Sequence, residues 1–230
     1  MRGQRCLPER ISYMKVKAII FDLDGTLADT IDAIRGAINA TMRQYGYPKK
    51  TYEDIRRVIG NGAKNLVRSC MPAEAAADAA QHERVFLTYQ DNYDANHLAT
   101  DRCYDGISEA IAALHARGIR LAVLSNKQDR HVCGLVAQLF PNGEFEIAMG
   151  QTELPRKPDP TVPLMIAEKL GAAPEECAFV GDSEVDIRTA KNAGMPAIGC
   201  AWGYRAAEDL EREGADVLLS APIQLKNLFE

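Results

Sequence analysis

The chain of 230 residues has no apolar run near the ~20 residues needed to cross a bilayer, no block of lysine or arginine, and no closely spaced pair of cysteines. Each absence removes a class of function. Without a long apolar run, no membrane-spanning segment is expected. Without a basic block, and with a formal net charge of -5, the electrostatic footprint of a nucleic-acid binder is missing. Cys6, Cys70, Cys103, Cys133, Cys177 and Cys200 show neither metal-ligand nor redox spacing. Several sit in apolar contexts, such as Cys177 before "AFVGD", and read as buried, reduced thiols of a cytoplasmic protein. His82, His97, His115 and His131 also lack metal spacing. The basic, polar start "MRGQRCLPERISY" has no apolar core of a secretory signal. Residues 1–13 are expected to be a disordered leader, with the folded domain opening at about Met14.

What is present is ordinary for a globular protein, at 47% hydrophobic and 26% charged. The length suffices for one sizeable domain, or one domain with a smaller insert. Continuous apolar, β-rich runs occur at Val16–Phe21, Ile119–Leu124, Phe145–Met149, Ala178–Val180, Ala197–Cys200 and Val217–Leu219. Amphipathic stretches such as "ISEAIAALHARG" and "EVDIRTAKNAG" separate them. Strands without polar alternation mark a parallel sheet covered on both faces. Strand–helix–strand repetition makes an α/β fold with an open, doubly wound parallel sheet the natural architecture. From about Thr30 to Asp101 no strand is evident, and the pattern reads as helices broken at Pro48, Gly60–Gly62 and Pro72. The expected organisation is a core from 14–29 and 102–230, with an inserted all-helical cap over 30–101.

In such a sheet, ligands bind beyond the carboxyl ends of the strands. The first strand is followed by Asp22-Leu23-Asp24-Gly25-Thr26, and the second by Ser125-Asn126-Lys127. Lys157 precedes "PDPTVPLM", and a later strand runs into Gly181-Asp182-Ser183-Glu184-Val185-Asp186. Aspartates gathered this way repel one another, and a hard divalent cation relieves that. Oxygen ligands beside a substrate phosphate suit Mg²⁺. The Ser125 hydroxyl and Lys157 are groups that hold a phosphoryl oxygen, and backbone N–H groups past Gly25 can add donors. Asp22 and Asp24 stand two apart, so in an extended segment they point the same way while Leu23 points to the core. One carboxylate can attack phosphorus while the other handles the leaving-group proton.

"DLDGTL", "SNK", "RKPDP" and "GDSEVD", in this order, resemble the four motifs of the haloacid dehalogenase superfamily. The helical insert resembles that superfamily's small cap, and "KPDPTVPL", "GDSEVDIRTAKNAGM" and "WGY" are similar to the phosphoglycolate phosphatase group. The resemblance implies that Asp22 attacks the phosphoryl group to form an aspartyl-phosphate, and that Asp24 serves as acid and then base. It implies Mg²⁺ held by Asp22, Asp24 (through its carbonyl) and Asp182, with Asp186 supporting the metal's waters. Gly25, Thr26, Ser125, Asn126 and Lys157 would hold the phosphoryl group.

The expected activity is a Mg²⁺-dependent phosphatase of a small phosphorylated metabolite, phosphoglycolate first among candidates, acting as a monomer or homodimer with no nucleic-acid or membrane partner. A phosphoglucomutase-like isomerase, a phosphatase of pyrophosphate, a sugar phosphate or a nucleotide, and a non-catalytic binding module are the alternatives. A dehalogenase fits less well, because Asp24 and the metal-binding acids suit phosphoryl chemistry. In the cap, Gly60 and Gly62 would let "IGNGAKNLVRS" approach the site. Lys64 or Arg68 could then bind a substrate carboxylate, or merely solvate a helix face. Asp29 and Thr30 are expected to cap the first cap helix, and Trp202 and Tyr204 to pack near the mouth.

Overall fold

The computed structural model describes residues 16–95 and 101–229. The expected leader 1–13, its boundary at Met14, and residues 96–100 of the expected cap lie outside the described residues. The chain enters through β1 (Ala18–Phe21) and β2 (Ala28–Asp29). Five helices follow: α1 (Ile31–Gln44), α2 (Tyr52–Val58), α3 (Ala63–Cys70), α4 (Ala73–Ala77) and α5 (Ala79–Asp94). After β3 (Arg102–Cys103) strands and helices alternate: α6 (Ile107–Ala116), β4 (Arg120–Gln128), α7 (Asp129–Leu139), β5 (Ile147–Gln151), α8 (Thr161–Lys169), β6 (Cys177–Gly181) and α9 (Glu184–Ala193). The chain closes with β7 (Ala197–Cys200), α10 (Ala207–Glu213), β8 (Val217–Leu219) and α11 (Leu225–Leu228).

Six strands form one sheet in the order β5-β4-β1-β6-β7-β8, all pairs parallel. The first strand is therefore central, and the order reverses beside it, which opens a crevice at its carboxyl end. The apolar runs explain the burial. Ile19 and Phe21 enter one core cluster with Ile111, Leu121 and Val180, while Ala18 and Ile20 enter the opposite one with Ile166, Phe179 and Ile187. Successive side chains point to opposite faces, and helices cover both, so no strand needs polar alternation.

The five helices after β2 form the cap. Their own core joins Ile34, Ile38, Met42, Ile55, Leu66, Val85, Phe86 and Tyr93, and one core residue, Tyr204, reaches into it. Local sequence sets the helix starts. Thr51 and Asp54 form a reciprocal capping box on α2, and the Asp78 carboxylate accepts from Ala80 and Gln81 N–H at α5. At the base of the cap β2 and β3 pair antiparallel, Ala28 with Cys103 and Asp29 with Arg102. This ribbon is absent from the sequence reading, because two residues per strand carry no periodicity. Cys70, Cys177 and Cys200 are buried, but Cys133 is exposed, contrary to a uniformly buried set of thiols. Among the described residues no helix is long and apolar enough to cross a membrane.

Ile20 is fully buried between β4 and β6. Ile20→Ala is expected to lower unfolding free energy by about 2–5 kcal/mol, measured by urea denaturation.

Candidate active site

Four chain segments deliver the site. β1 ends at Phe21, and the Asp22 N–H donates to Val180 O at 2.9 Å, which locks the first loop to β6. Leu23 then turns into the core, while Gly25 N–H closes a tight turn on Ala28 O at 2.9 Å. Gly25 has a φ of 91°, and a Cβ there would collide with the Asp182 carboxylate. A Cβ at Gly203 would strike Asp182 as well. Asp182 thus sits in a slot walled by residues without side chains.

Asp22, Asp182 and Asp186 are all buried, and one oxygen of each lies within 4.8 Å of the others. Lys157 Nζ stands 2.8 Å from Asp22 Oδ1 and 2.7 Å from Asp186 Oδ1. Lys157 therefore bridges an oxygen of each of these two carboxylates. Asp186 Oδ2 accepts from Ser183 N at 3.0 Å and Ser183 Oγ at 2.6 Å, so both its oxygens are engaged. Asp182 accepts from Thr26 Oγ1 at 3.3 Å and Tyr204 N at 2.7 Å. Burial first, and then the Asp186 charge, push the Asp22 carboxyl up to about 7 despite Lys157. Asp182 is raised for the same reasons, by burial and then by Asp186 and Asp22. Lys157 is held in its charged form: burial opposes the charge, but Asp186 and Asp22 outweigh it. Three carboxylates and one ammonium leave uncompensated negative charge, and an all-oxygen donor set of this kind fits a hard divalent cation.

Asp24 faces the cap. Its Oδ1 accepts from Thr30 Oγ1 at 2.6 Å and Lys127 Nζ at 2.8 Å. Thr30 occupies the N-cap position of α1, yet its hydroxyl makes no cap bond. It turns to Asp24 instead, correcting the expectation of a capping role; Asp29 pairs across the ribbon with Arg102 at 3.4 Å. Tyr204 Oη accepts from Thr30 N at 3.0 Å and lies 3.2 Å from Thr30 Oγ1, so Tyr204 joins core to cap rather than merely packing. Trp202 Nε1 donates to Thr26 O at 3.0 Å.

The cavity over these groups is lined on the core side by Asp22, Asp24, Ser125, Lys157 and Asp182. The cap loop 59–62 is fastened above it. Asn126 Nδ2 donates to Gly60 O at 3.0 Å, Arg156 Nη1 to Asn61 O at 3.2 Å, and Arg205 to the carbonyls of Arg56 and Ile59. Asn126 also bridges to Lys157 through N–H and C=O at 3.0 and 3.1 Å, so its amide positions Lys157 and the cap loop. Gly25 and Thr26 shape and orient Asp182 rather than line the cavity. Lys64 and Arg68 do not reach the cavity either. Lys64 pairs with Glu83 at 2.9 Å and Arg68 lies 3.2 Å from His82 Nδ1, because on α3 the inward positions are Leu66 and Val67. Arg205 is a neighbour in this site that the sequence did not point to, Tyr204 was expected only to pack near its mouth, and Lys127 stood in the Ser125-Asn126-Lys127 run without a role of its own. The position of Lys127 directly after Ser125-Asn126 was the available signal.

Residues 19–200 match the family model described as haloacid dehalogenase-like hydrolase. A phosphoglycolate phosphatase of Chromobacterium violaceum is 34% identical, over 94% of this chain and 97% of its own. One from Pseudomonas putida is 31% identical, over 88% of this chain and 76% of its own. The crystal structure of a predicted phosphoglycolate phosphatase from Haemophilus somnus superposes with a TM-score of 0.85 at 27% identity, covering 92% of this chain and 96% of that one.

The raised Asp22 sets a pH dependence. Its folded-state value lies above the ordinary carboxylate value near 4. The folded chain therefore holds more protons across that window, and stability falls as pH rises from about 4 to 7. In a chelating buffer at pH 8, Asp22→Asn is expected to be more stable than wild type by about 1–3 kcal/mol. At pH 4 the difference should vanish; thermal denaturation at both pH values measures it.

Proposed function

The chain belongs to the haloacid dehalogenase-like hydrolase family, and from that membership we propose that it is a Mg²⁺-dependent phosphatase of small phosphate monoesters, with phosphoglycolate its foremost substrate. The observation that carries the reading is the buried Asp22–Asp182–Asp186 cluster, with Lys157 bound to Asp22 and Asp186 and with Asp24 lining the same cavity. The names of the relatives support the substrate.

In this reading a carboxylate oxygen of Asp22 attacks phosphorus and forms an aspartyl-phosphate. The Ser125 hydroxyl and Lys157 ammonium bind oxygens of the transferring group, and Asn126 keeps Lys157 in place. Both described hydrogen bonds to the Asp24 carboxylate fall on Oδ1, which leaves Oδ2 to give a proton to the departing alkoxide and then take one from the attacking water. Asp22, the Asp24 carbonyl and Asp182 would hold Mg²⁺, with Asp186 behind them. The ion supplies charge neutralisation for the phosphoryl oxygens, so that an anionic nucleophile can approach an anionic ester. The cap loop, fastened through Asn126, Arg156 and Arg205, limits water and substrate size.

A phosphate-release assay over a panel of phosphate esters tests this. Phosphoglycolate should release inorganic phosphate with Mg²⁺ and not with chelator, and Asp22→Asn should lose at least about a thousandfold in kcat. Conversion of a sugar 1-phosphate to a 6-phosphate without phosphate release, or wild-type turnover by Asp22→Asn, would contradict it.

A further inference from the structure

Among the described residues, the cations in the cavity wall are Lys127, Lys157 and Arg205. Their commitments differ. Lys157 is held on the cavity floor by Asp22 and Asp186. Arg205 sends its guanidinium to the carbonyls of Arg56 and Ile59 and to Glu184, fastening cap to core. Lys127 stands beside Asp24, with its side chain only 7% exposed and its ammonium 4.8 Å from the centre of the Tyr93 ring on α5. The cap's contribution to the wall is Ile34, Ile59, Ala63, Leu66 and Tyr89 with two glycines, and none of these is charged.

A phosphate ester seated on Asp22 presents its ester oxygen to Asp24 and the rest of its leaving group to that apolar roof. A negative charge on the leaving group would be desolvated there without compensation. Among the described residues, the cation bound to Asp24 is Lys127. Its ammonium is a compact head with three donors. One donor can stay on Asp24 while another turns to the substrate, and the Tyr93 face keeps the charge favourable at low exposure. Lys64 and Arg68, bound to Glu83 and near His82, cannot take this part.

We propose that Lys127 is the specificity-determining residue of this site, recognising a carboxylate attached to the carbon that bears the phosphate ester. The proposal rests on the phosphatase reading above and names the substrate class it selects: short phosphate esters with an adjacent carboxylate. A carboxylate on that carbon lies within reach of a group that already touches Asp24. An anion on a longer tail is carried past Lys127 toward Ile59 and Leu66, where the described cation in the wall, Arg205, is already engaged by the carbonyls of Arg56 and Ile59 and by Glu184. A neutral leaving group leaves Lys127 to Asp24 and to the charge of the nearby Asp101.

The test compares phosphoglycolate with its neutral carboxamide analogue in the wild-type chain and in Lys127→Met. Because Lys127 also holds Asp24, the variant loses rate on both esters, and the readout is the ratio of their kcat/KM values. Wild type should prefer the carboxylate, and Lys127→Met should cut that ratio by about 30-fold or more, the order expected for one charge-assisted hydrogen bond. Lys127→Arg should keep part of the preference. A variant too slow to assay is read by titration calorimetry, comparing 3-phosphonopropionate, which keeps the two-atom spacing between phosphorus and carboxylate, with inorganic phosphate. Loss of affinity for 3-phosphonopropionate alone supports the proposal. An equal loss on both esters, or unchanged 3-phosphonopropionate affinity, overturns it and leaves the phosphatase reading standing. If wild type hydrolyses neither ester, both readings fall.

Discussion

Three buried carboxylates facing one buried ammonium is the constraint on which the rest of this structure depends. Asp22, Asp182 and Asp186 are brought together because β1 and β6 are adjacent at the point where strand order reverses. Their close approach needs the bare backbone of Gly25 and Gly203. Lys157 neutralises part of the cluster, and Asn126 and Ser183 hold Lys157 and Asp186 in turn. Such an arrangement is expensive in the absence of a cation, since burial and mutual repulsion both disfavour the charged forms. Its persistence is understandable if the fold is built to bind charge there.

The same segment that carries Asp22 also anchors the cap. Asp24 accepts from Thr30 at the first turn of α1, and Thr30 in turn meets Tyr204, which lies in the cap's apolar core while its N–H donates to Asp182. Along the chain, β2 of the two-stranded ribbon lies between Asp24 and α1. The acidic cluster, Asp24 and the base of the cap are therefore one connected hydrogen-bonded unit. A change at any of Thr26, Thr30 or Tyr204 alters the hydrogen bonds that hold Asp182 or Asp24.

Much of the fold was legible in the sequence because its strands are buried on both faces. Ala197–Cys200 and Val217–Leu219 are as the apolar runs place them. β4 runs on to Gln128, past the apolar run, because Ser125, Asn126 and Lys127 stay extended while Asn126 bridges to Lys157 and the cap loop. Strand ends pointed to Asp22, Ser125, Lys157 and Asp182, and these do share one cavity. Side-chain pairings over long separations were not legible. Nothing local says that Thr30 will leave its helix for Asp24, or that Tyr204 will find Thr30 across the fold. Lys64 and Arg68 were plausible by charge alone; the register of α3 decides against them by turning Leu66 and Val67 inward.

The most direct test of the claim that the cluster is completed by a cation is calorimetric titration of Mg²⁺ into the chain, in buffers of different ionisation enthalpy. With Asp22 pushed up to about 7 and Asp182 raised as well, binding must displace protons. The account predicts saturable binding of about one ion per chain, accompanied by proton release near neutral pH and lost in Asp182→Asn. Absence of saturable binding, or unchanged binding in Asp182→Asn, would contradict it.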